Sequence, residues 1–558
     1  MKIVLVSCPQ WSVLCPPYNL SLISSILQSN GHEVKVIDLN VECYHHLKSG
    51  EDYWEGKNYF CWLGNNFRNI ILPKIEHLID NTVYNVVKLK PDFVGVSLYS
   101  TNTEFVKVFI QKIKEKDSEI KIMAGGPECF NYCDEKRKFV GIDLLFTGEA
   151  DDIVNEAVEN YPKYIICKNE NVVDLNTLPF ADYKDYDLLK YLKPNSISME
   201  ASRGCIAKCS FCMETCFWSY RYKNADRLIE EIRYYKKLYD LKSIRFNDSL
   251  INGNIKQFKK FVYSLAEEPY KVRWSSYIRI DGRMDNSLFK KMKETGADFL
   301  SFGVESGSQK VLDDMKKGIK ISEIEQNLRD SKEYDLASQL NWIIGFPTET
   351  YIDYFLSLIF IYNNRKNISQ LCPGMTCGVG PKSDLKNNPG KYGIIEDPAW
   401  SSFITTNFEN TIIHRFIRLK LFHIFLDILD VPNGQYHPRI KEDYKYEGVI
   451  KDLLINYDDI PTFKSKNKSF QSTLIFEYMA LFWALYKISG NFKIDINFNS
   501  TKDKERFGDQ IVNSYNSKTI FEVDKNKNWN LKLTHSLNEH FKFDDTLNLS
   551  GNLTNIEL

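Results

Sequence analysis

The stretch Cys205-Ile206-Ala207-Lys208-Cys209-Ser210-Phe211-Cys212 constrains this chain more than any other. It gathers three of 13 cysteines, in a chain of 558 residues, into a C-x3-C-x2-C run. On a helix the three would share one face as a buried stripe. A helix rises about 1.5 Å per residue, so the outer two would stand about 10 Å apart, too far for one compact metal centre. A metal-binding reading therefore requires a loop, and Gly204 with the polar Arg203, Lys208 and Ser210 suits one. Two centres compete. With Cys216 the run offers four thiolates to a closed tetrahedral zinc site, although structural zinc sites usually take two short pairs split by a longer stretch. Three thiolates alone would hold a [4Fe–4S] cluster with one iron left open.

The rest of the composition narrows the setting. Cysteines odd in number and scattered along the chain argue against a disulfide framework and for a reducing compartment. The 72 basic and 73 acidic residues are intermixed, so no polyanion-binding face and no nucleic-acid partner is expected. The opening Met1–Val6 run is too short for a signal peptide. Apolar stretches such as Tyr354–Tyr362 and Tyr478–Tyr486 fall short of the ~18 residues of a membrane span. A soluble cytoplasmic protein of roughly two to four domains is the expectation.

Apolar runs at Lys2–Ser7, Glu33–Asp38, Phe93–Ser97, Lys121–Ala124 and Leu144–Thr147 read as strands. They alternate with helical periodicity at Leu20–Ser29 and Thr103–Lys116, which predicts a parallel doubly wound, Rossmann-like sheet. In such sheets a ligand lies off the carboxyl ends of the strands. Those ends are Ser7-Cys8-Pro9, Ser97-Leu98-Tyr99, Gly125-Gly126-Pro127 and Gly148-Glu149, and paired glycines there permit close backbone approach to a large flat ligand.

A second strand–helix series starts at Ser196–Ala201. Its further strands are Ser243–Phe246, Arg273–Tyr277, Asp298–Phe302, Gln339–Ile344 and a sixth near Ser369–Leu371. This predicts a partial (β/α)6 barrel with the cysteine loop at the carboxyl end of its first strand, where barrel active sites lie. From Cys372-Pro373-Gly374 the chain reads as loop-rich. Helical patterns follow at Asn410–Asp430 and Phe476–Ile488, then polar alternation at Phe492–Asn497, so the C-terminal part is expected to be a mainly helical α+β domain. Cys372 and Cys377 read as plain thiols, because two cysteines make half a site.

The cysteine triplet, with the aromatic Phe211 just before its third member, resembles the signature of the radical S-adenosylmethionine (SAM) superfamily. The resemblance implies a [4Fe–4S] cluster on Cys205, Cys209 and Cys212, whose open iron chelates SAM and whose electron cleaves it to a 5′-deoxyadenosyl radical. It implies further SAM contacts at Phe211, at Asn247 and Asp248, at Glu305 within Gly303–Gly307, and at Asn341 and Gly345 within Asn341–Thr350. Arg279 is a candidate carboxylate partner by charge and fork geometry. Each has a plainer reading: Glu305 as a helix cap, Asp248 in a turn, Arg279 in a surface ion pair.

Residues 1–165 look like the cobalamin-binding domain found in front of many radical SAM enzymes. The resemblance runs through Pro16-Pro17, Gly31-His32-Glu33-Val34, Pro91-Asp92 and the strand ends, and implies cofactor contacts at Trp11, Ser97, Gly125, Gly126, Pro127, Gly148 and Glu149. One departure stands out. Cobalamin domains of the methionine-synthase type carry Asp-x-His-x-x-Gly after the first strand, and Cys8–Cys15 here holds no histidine. Cobalt is therefore expected to lack a histidine lower ligand, with His45 and His46 a surface pair and Cys8 and Cys15 simply buried.

The implied organisation is a cobalamin domain at 1–165, a linker at 166–195, the barrel at 196–371 and a substrate-binding part at 372–558. The implied activity is methyl transfer from methylcobalamin to an unreactive carbon, or to phosphorus, of a small molecule or peptide, with flavodoxin or ferredoxin as electron donor. A non-methylating rearrangement, cyclisation or oxidation is the first alternative. A zinc-stabilised cobalamin binder without activity is the second.

Overall fold

The computed structural model describes residues 1–558 except 49–52, 133–138, 170–171, 398–401, 408–409, 434–442, 449–480, 483–491, 500–514, 525, 527, 538–542 and 553–558. The chain divides into two compact units. The first comprises 1–204, 217–276 and 294–297, and the second 205–216, 277–293 and 298–558.

The first unit opens with six parallel strands: β1 (Lys2–Ser7), β2 (Glu33–Asp38), β3 (Phe93–Ser97), β4 (Lys121–Gly125), β5 (Leu144–Gly148) and β6 (Ile166–Asn169). Their order is β2-β1-β3-β4-β5-β6, so the chain reverses its direction of travel across the sheet between β1 and β3. Ile3–Val6 and Phe93–Val96 are buried, as strands covered on both faces require. β6 lies where the linker was expected to begin, so the first sheet runs on to Asn169. A helix at Leu72–Lys88 was not anticipated. It buries Ile75, Ile79, Val83 and Val86 at 4-4-3 spacing, one apolar stripe against the core.

The same unit holds β7 (Ser196–Met199), a two-residue ladder of β8 (Ser202–Arg203) with β9 (Arg221–Tyr222), then β10 (Ser243–Phe246) and β11 (Arg273–Ile278). β7, β10 and β11 pair in parallel in that order. Helices Ala225–Leu238 and Ile255–Ala266 separate them, each with an apolar stripe such as Phe258, Phe261, Val262 and Leu265.

The second unit carries β12 (Ala297–Glu305), β13 (Ala337–Ile344) and β14 (Gln370–Thr376), again parallel and in chain order. The six βα repeats expected of a partial barrel are thus present, three strands in each unit. Cys372 lies inside β14 rather than in a loop, because Leu371 and Cys372 continue the register with Leu340 and Asn341. Beyond lie a hairpin, β15 (Ile394–Asp397) with β16 (Ser402–Thr405), and the helix Ile412–Ile428. An antiparallel sheet of β17 (Asp443–Gly448), β18 (Phe492–Asn499), β19 (Tyr515–Val523), β20 (Asn528–Leu537) and β21 (Phe543–Asn552) completes the unit.

The C-terminal part is α+β, with the helix Ile412–Ile428 beside the five-stranded sheet. Alternating runs such as Ile494 and Ile496, buried between polar neighbours, form the sheet's inner face. The predicted helix Phe476–Ile488 falls outside the described residues except for 481 and 482, which are helical. No helix among the described residues is long and apolar enough to cross a membrane.

Candidate active site

At the reversal between β1 and β3, the two strand-end loops meet. Trp11 stacks on Tyr99 with ring centroids 4.1 Å apart. The Trp11 backbone is pinned by its N–H to Asn40 Oδ1 (3.0 Å) and its carbonyl to Trp54 Nε1 (2.9 Å), while its ring stays 38% exposed. Asn19 Nδ2 donates to Ser97 Oγ (2.8 Å) and to the Tyr99 hydroxyl (3.2 Å). Burial pushes the Tyr99 phenol up to about 12. The result is a rigid aromatic face at the point where doubly wound sheets bind ligands.

The neighbouring glycines differ in purpose. A side chain on Gly125 would meet only Phe146 Cβ at 3.9 Å, so packing does not demand glycine there. Gly126 has φ +106°, and a Cβ would sit 2.6 Å from Leu98 O, so the loop itself requires glycine. Pro127 opens a short 3-10 helix, and Gly148 also has positive φ.

Among the described residues, His32, His45 and His46 of the first unit each have a hydrogen-bond partner. His32 Nε2, just ahead of β2, bonds Asn155 Oδ1 (2.8 Å). His45 and His46 donate to the carbonyls of Lys190 (2.7 Å) and Lys74 (3.1 Å). The partly exposed Trp11 and the open face at Gly125 leave room that a flat cofactor would fit. Cys8 and Cys15 are buried, Cys15 against Ser198 Oγ at 3.1 Å.

Two charged clusters brace the strand ends within the first unit. Arg203 donates from Nη1 to Glu149 Oε2 (2.8 Å) and Asp151 Oδ2 (2.6 Å), and from Nε and Nη2 to the two oxygens of Glu200 (2.8 and 3.0 Å). Arg221 takes the other oxygen of Glu149. Both oxygens of Glu149 are therefore committed to arginines, which makes it a brace. Asp248 is likewise committed. Its buried carboxylate accepts the N–H groups of Ala201 (3.0 Å) and Ser202, just beyond β7. Burial outweighs these donors and pushes the acid up to about 7. Asn247 is exposed and donates its N–H to Met199 O (2.9 Å).

In the second unit the cysteine loop is non-helical until Glu214, as ligation of one centre by residues 205–212 demands. Cys205, Cys209 and Cys212 are all half-buried. Ala207 N–H donates to Cys205 Sγ and Glu214 N–H to Cys212 Sγ, each at 3.4 Å. Burial raises the Cys205 thiol, while the Ala207 N–H and the charges of Arg279 and Lys317 pull it down. Three reachable sulfurs with backbone donors and nearby cations match the donor set of a three-thiolate iron–sulfur cluster. Among the described residues no three His, Cys, Asp or Glu side chains gather tightly enough for a single metal ion. The Cys216 side chain lies outside the described residues.

A cavity of about 360 Å³ adjoins this loop through Phe211. Glu305, Asn341, Trp342, Cys372 and Cys377 line it, with Tyr277 at its edge. Strand alternation puts Gln339 and Asn341 on one face of β13, and the register of β12 shifts between Gly303 and Glu305. Gln339 Nε2 donates to Ser301 Oγ (3.0 Å) and Asn341 Oδ1 (3.1 Å), which holds the Asn341 amide at the cavity wall.

Glu305 holds φ +75°, a conformation unusual for a residue with a side chain, and sits 3.4 Å from Lys317 Nζ. It does not cap the next helix; Ser308 does. Burial raises the Glu305 carboxyl, and Lys317 opposes that rise. Arg279 donates to the Lys317 carbonyl, so the two cations belong to one local arrangement rather than a surface ion pair. Gly345 serves packing: a Cβ there would strike Arg415 Cγ at 2.2 Å. Neither Lys317 nor Tyr277 stands in a motif of its own in the sequence. The Lys316-Lys317-Gly318 turn after a helix was the one available cue.

The radical SAM superfamily model matches residues 199–358, and the B12 binding domain model matches residues 63–158. An uncharacterized methyltransferase of Pyrococcus horikoshii is 24% identical over 382 residues, 63% of this chain and 75% of that protein. An anaerobic magnesium-protoporphyrin IX monomethyl ester cyclase of Rubrivivax gelatinosus is 23% identical over 299 residues, 49% of this chain and 54% of that protein. Among solved structures, the radical SAM methyltransferase TsrM of Kitasatospora setae, with tryptophan substrate and a SAM analogue bound, superposes with a TM-score of 0.54. That match has 14% identity and covers 71% of this chain and 78% of TsrM. The superfamily match defines the class, an enzyme carrying a [4Fe–4S] cluster and SAM. With the B12 match ahead of it, the chain joins the two domains of a cobalamin-containing radical SAM enzyme, with cobalamin as third cofactor.

Proposed function

We propose that this enzyme transfers a methyl group to an unactivated carbon, or to phosphorus, of a small molecule or peptide, in a reducing cytoplasm with flavodoxin or ferredoxin as electron donor. One observation carries the reading: a loop of three half-buried thiols borders a cavity through Phe211, in a chain that also bears a B12 binding domain. When bound, the cluster and SAM supply a carbon-centred radical and cobalamin supplies a methyl group by one-electron chemistry.

The chain's own residues do the rest. Cys205, Cys209 and Cys212 ligate the cluster, and the Ala207 and Glu214 N–H groups orient two of the sulfurs. Phe211 and Asn341 line the space for SAM, and Arg279 and Lys317 set positive charge opposite its carboxylate. Glu305, held by Lys317, presents an acceptor to a hydroxyl. Trp11, Ser97, Gly125, Gly126, Pro127 and Gly148 hold cobalamin at the strand ends of residues 1–165. Glu149, Asp248 and Gly345 act by positioning, and residues 372–558 complete the substrate site.

The relatives include a cyclase by name, so the test must separate the two outcomes. With SAM labelled on its methyl group and the true substrate, label should enter product, and S-adenosylhomocysteine and 5′-deoxyadenosine should form in about equal amounts. Substrate consumed with deoxyadenosine formed and no label transferred would replace methylation by rearrangement, cyclisation or oxidation.

A further inference from the structure

The chain after β14 is fastened to the cysteine loop at a residue that ligates nothing. Ser210, between the second and third cysteines, is fully buried. Its N–H donates to Met315 O (2.9 Å) and its Oγ to Asp314 O (3.3 Å), while its carbonyl accepts the Leu385 N–H (3.0 Å). The Cys209–Cys212 interval is thus gripped on one side by the turn ending the helix Gln309–Asp314. On the other side it is gripped by the short helix Asp384–Asn387.

The two jaws are tied to each other. Lys316 Nζ lies 2.7 Å from Asp384 Oδ2, which also accepts the Tyr392 hydroxyl at 2.5 Å. Asn388 Nδ2 donates to Asp384 Oδ1 at 2.6 Å. These donors hold the Asp384 carboxyl well below the usual range, with Lys316 the largest cause. Met213, just past Cys212, fills the space that Gly380 leaves, where a Cβ would sit 2.9 Å from its sulfur.

A stability role explains this arrangement poorly. Lys316 and Asp384 are both partly exposed, and ion pairs of that kind contribute little to folding. Orientation explains it better, because a donor and an acceptor on one residue, held from two sides, fix the peptide planes that aim Cys209 and Cys212. Ligands need such support to within about 0.5 Å. We infer that Asp384 and Tyr392, acting through Ser210, are positioning residues of the iron–sulfur cluster, so that residues 380–392 are part of the cluster site. The inference rests on the cluster reading above.

The test uses full-length protein, reconstituted without oxygen, as Asp384→Asn, Tyr392→Phe, Lys316→Met and Lys316→Arg. Far-UV circular dichroism and cobalamin content should match wild type in all four. Asp384→Asn, Tyr392→Phe and Lys316→Met should change the electron paramagnetic resonance spectrum of the dithionite-reduced cluster and speed iron loss to a chelator about tenfold. Lys316→Arg should restore both. Should Asp384→Asn fail to fold, Tyr392→Phe decides, since it deletes one oxygen only. Spectra and iron-loss rates equal to wild type in a protein that holds its cluster would overturn this inference alone. A wild type that takes up no cluster would overturn the cluster reading and this inference with it.

Discussion

Three cysteines and one aspartate show how differently single residues can be read. Cys205, Cys209 and Cys212 were legible because ligation of one centre by a short loop leaves its spacing in the sequence. Their replacement by alanine, one at a time, should abolish iron and sulfide binding in anaerobically reconstituted protein. Cys216→Ala should leave about four irons per chain. An equal requirement for Cys216, with zinc as the native metal, would contradict the assignment. Asp248 was legible only as a polar residue at a strand end. Its partners, the N–H groups of Ala201 and Ser202, are 47 and 46 residues away in the chain, and nothing local announces them.

Asp248 also carries a pH dependence of known sign. Its acid rises on folding from 3.8 to about 7, so the folded state binds this proton more tightly than the unfolded one. That contribution to stability is full below about pH 4 and is lost as pH rises through about 7, with a slope of up to about 1.4 kcal/mol per pH unit. Denaturant unfolding between pH 4 and 8 should show the slope, and Asp248→Asn should flatten it. An unchanged slope in the variant would refute the assignment.

At the scale of elements, the strands were readable because buried parallel strands are written as apolar runs, as in Ile3–Val6. The helix Leu72–Lys88 was overlooked although its stripe of Ile75, Ile79, Val83 and Val86 was there to find. β6 was overlooked because four residues, Ile166–Asn169, leave no period to detect. Of the C-terminal strands, only the alternation around Phe492–Asn497 was readable, because strands such as β20 alternate in polar surroundings and resemble surface segments. At the strand ends, paired glycines suggested a ligand, and the fold separates them. Gly126→Ala should destabilise the protein by about 1–3 kcal/mol, because φ +106° and the contact with Leu98 O both oppose a side chain. Trp11→Ala should leave stability within about 1 kcal/mol, since the ring is partly exposed, yet weaken cobalamin retention. Thermal melts beside cobalamin absorbance after gel filtration separate the two. Loss of cobalamin from neither variant would remove the strand ends from the cofactor site.

For the whole molecule, the sequence showed that two cofactor-binding parts share one chain, because each carries its signature in short local motifs. It did not show how the post-β14 segment serves the cluster loop, since the Ser210–Leu385 and Lys316–Asp384 contacts join residues far apart in the chain. Whether one enzyme uses SAM in two ways can be measured before the substrate is known. Protein reconstituted with cluster and cobalamin, reduced and given SAM, should yield both 5′-deoxyadenosine and S-adenosylhomocysteine. Cys205→Ala should abolish the first, and omission of cobalamin should abolish the second and spare the first. Deoxyadenosine alone, with cobalamin bound and reduced, would contradict methyl transfer.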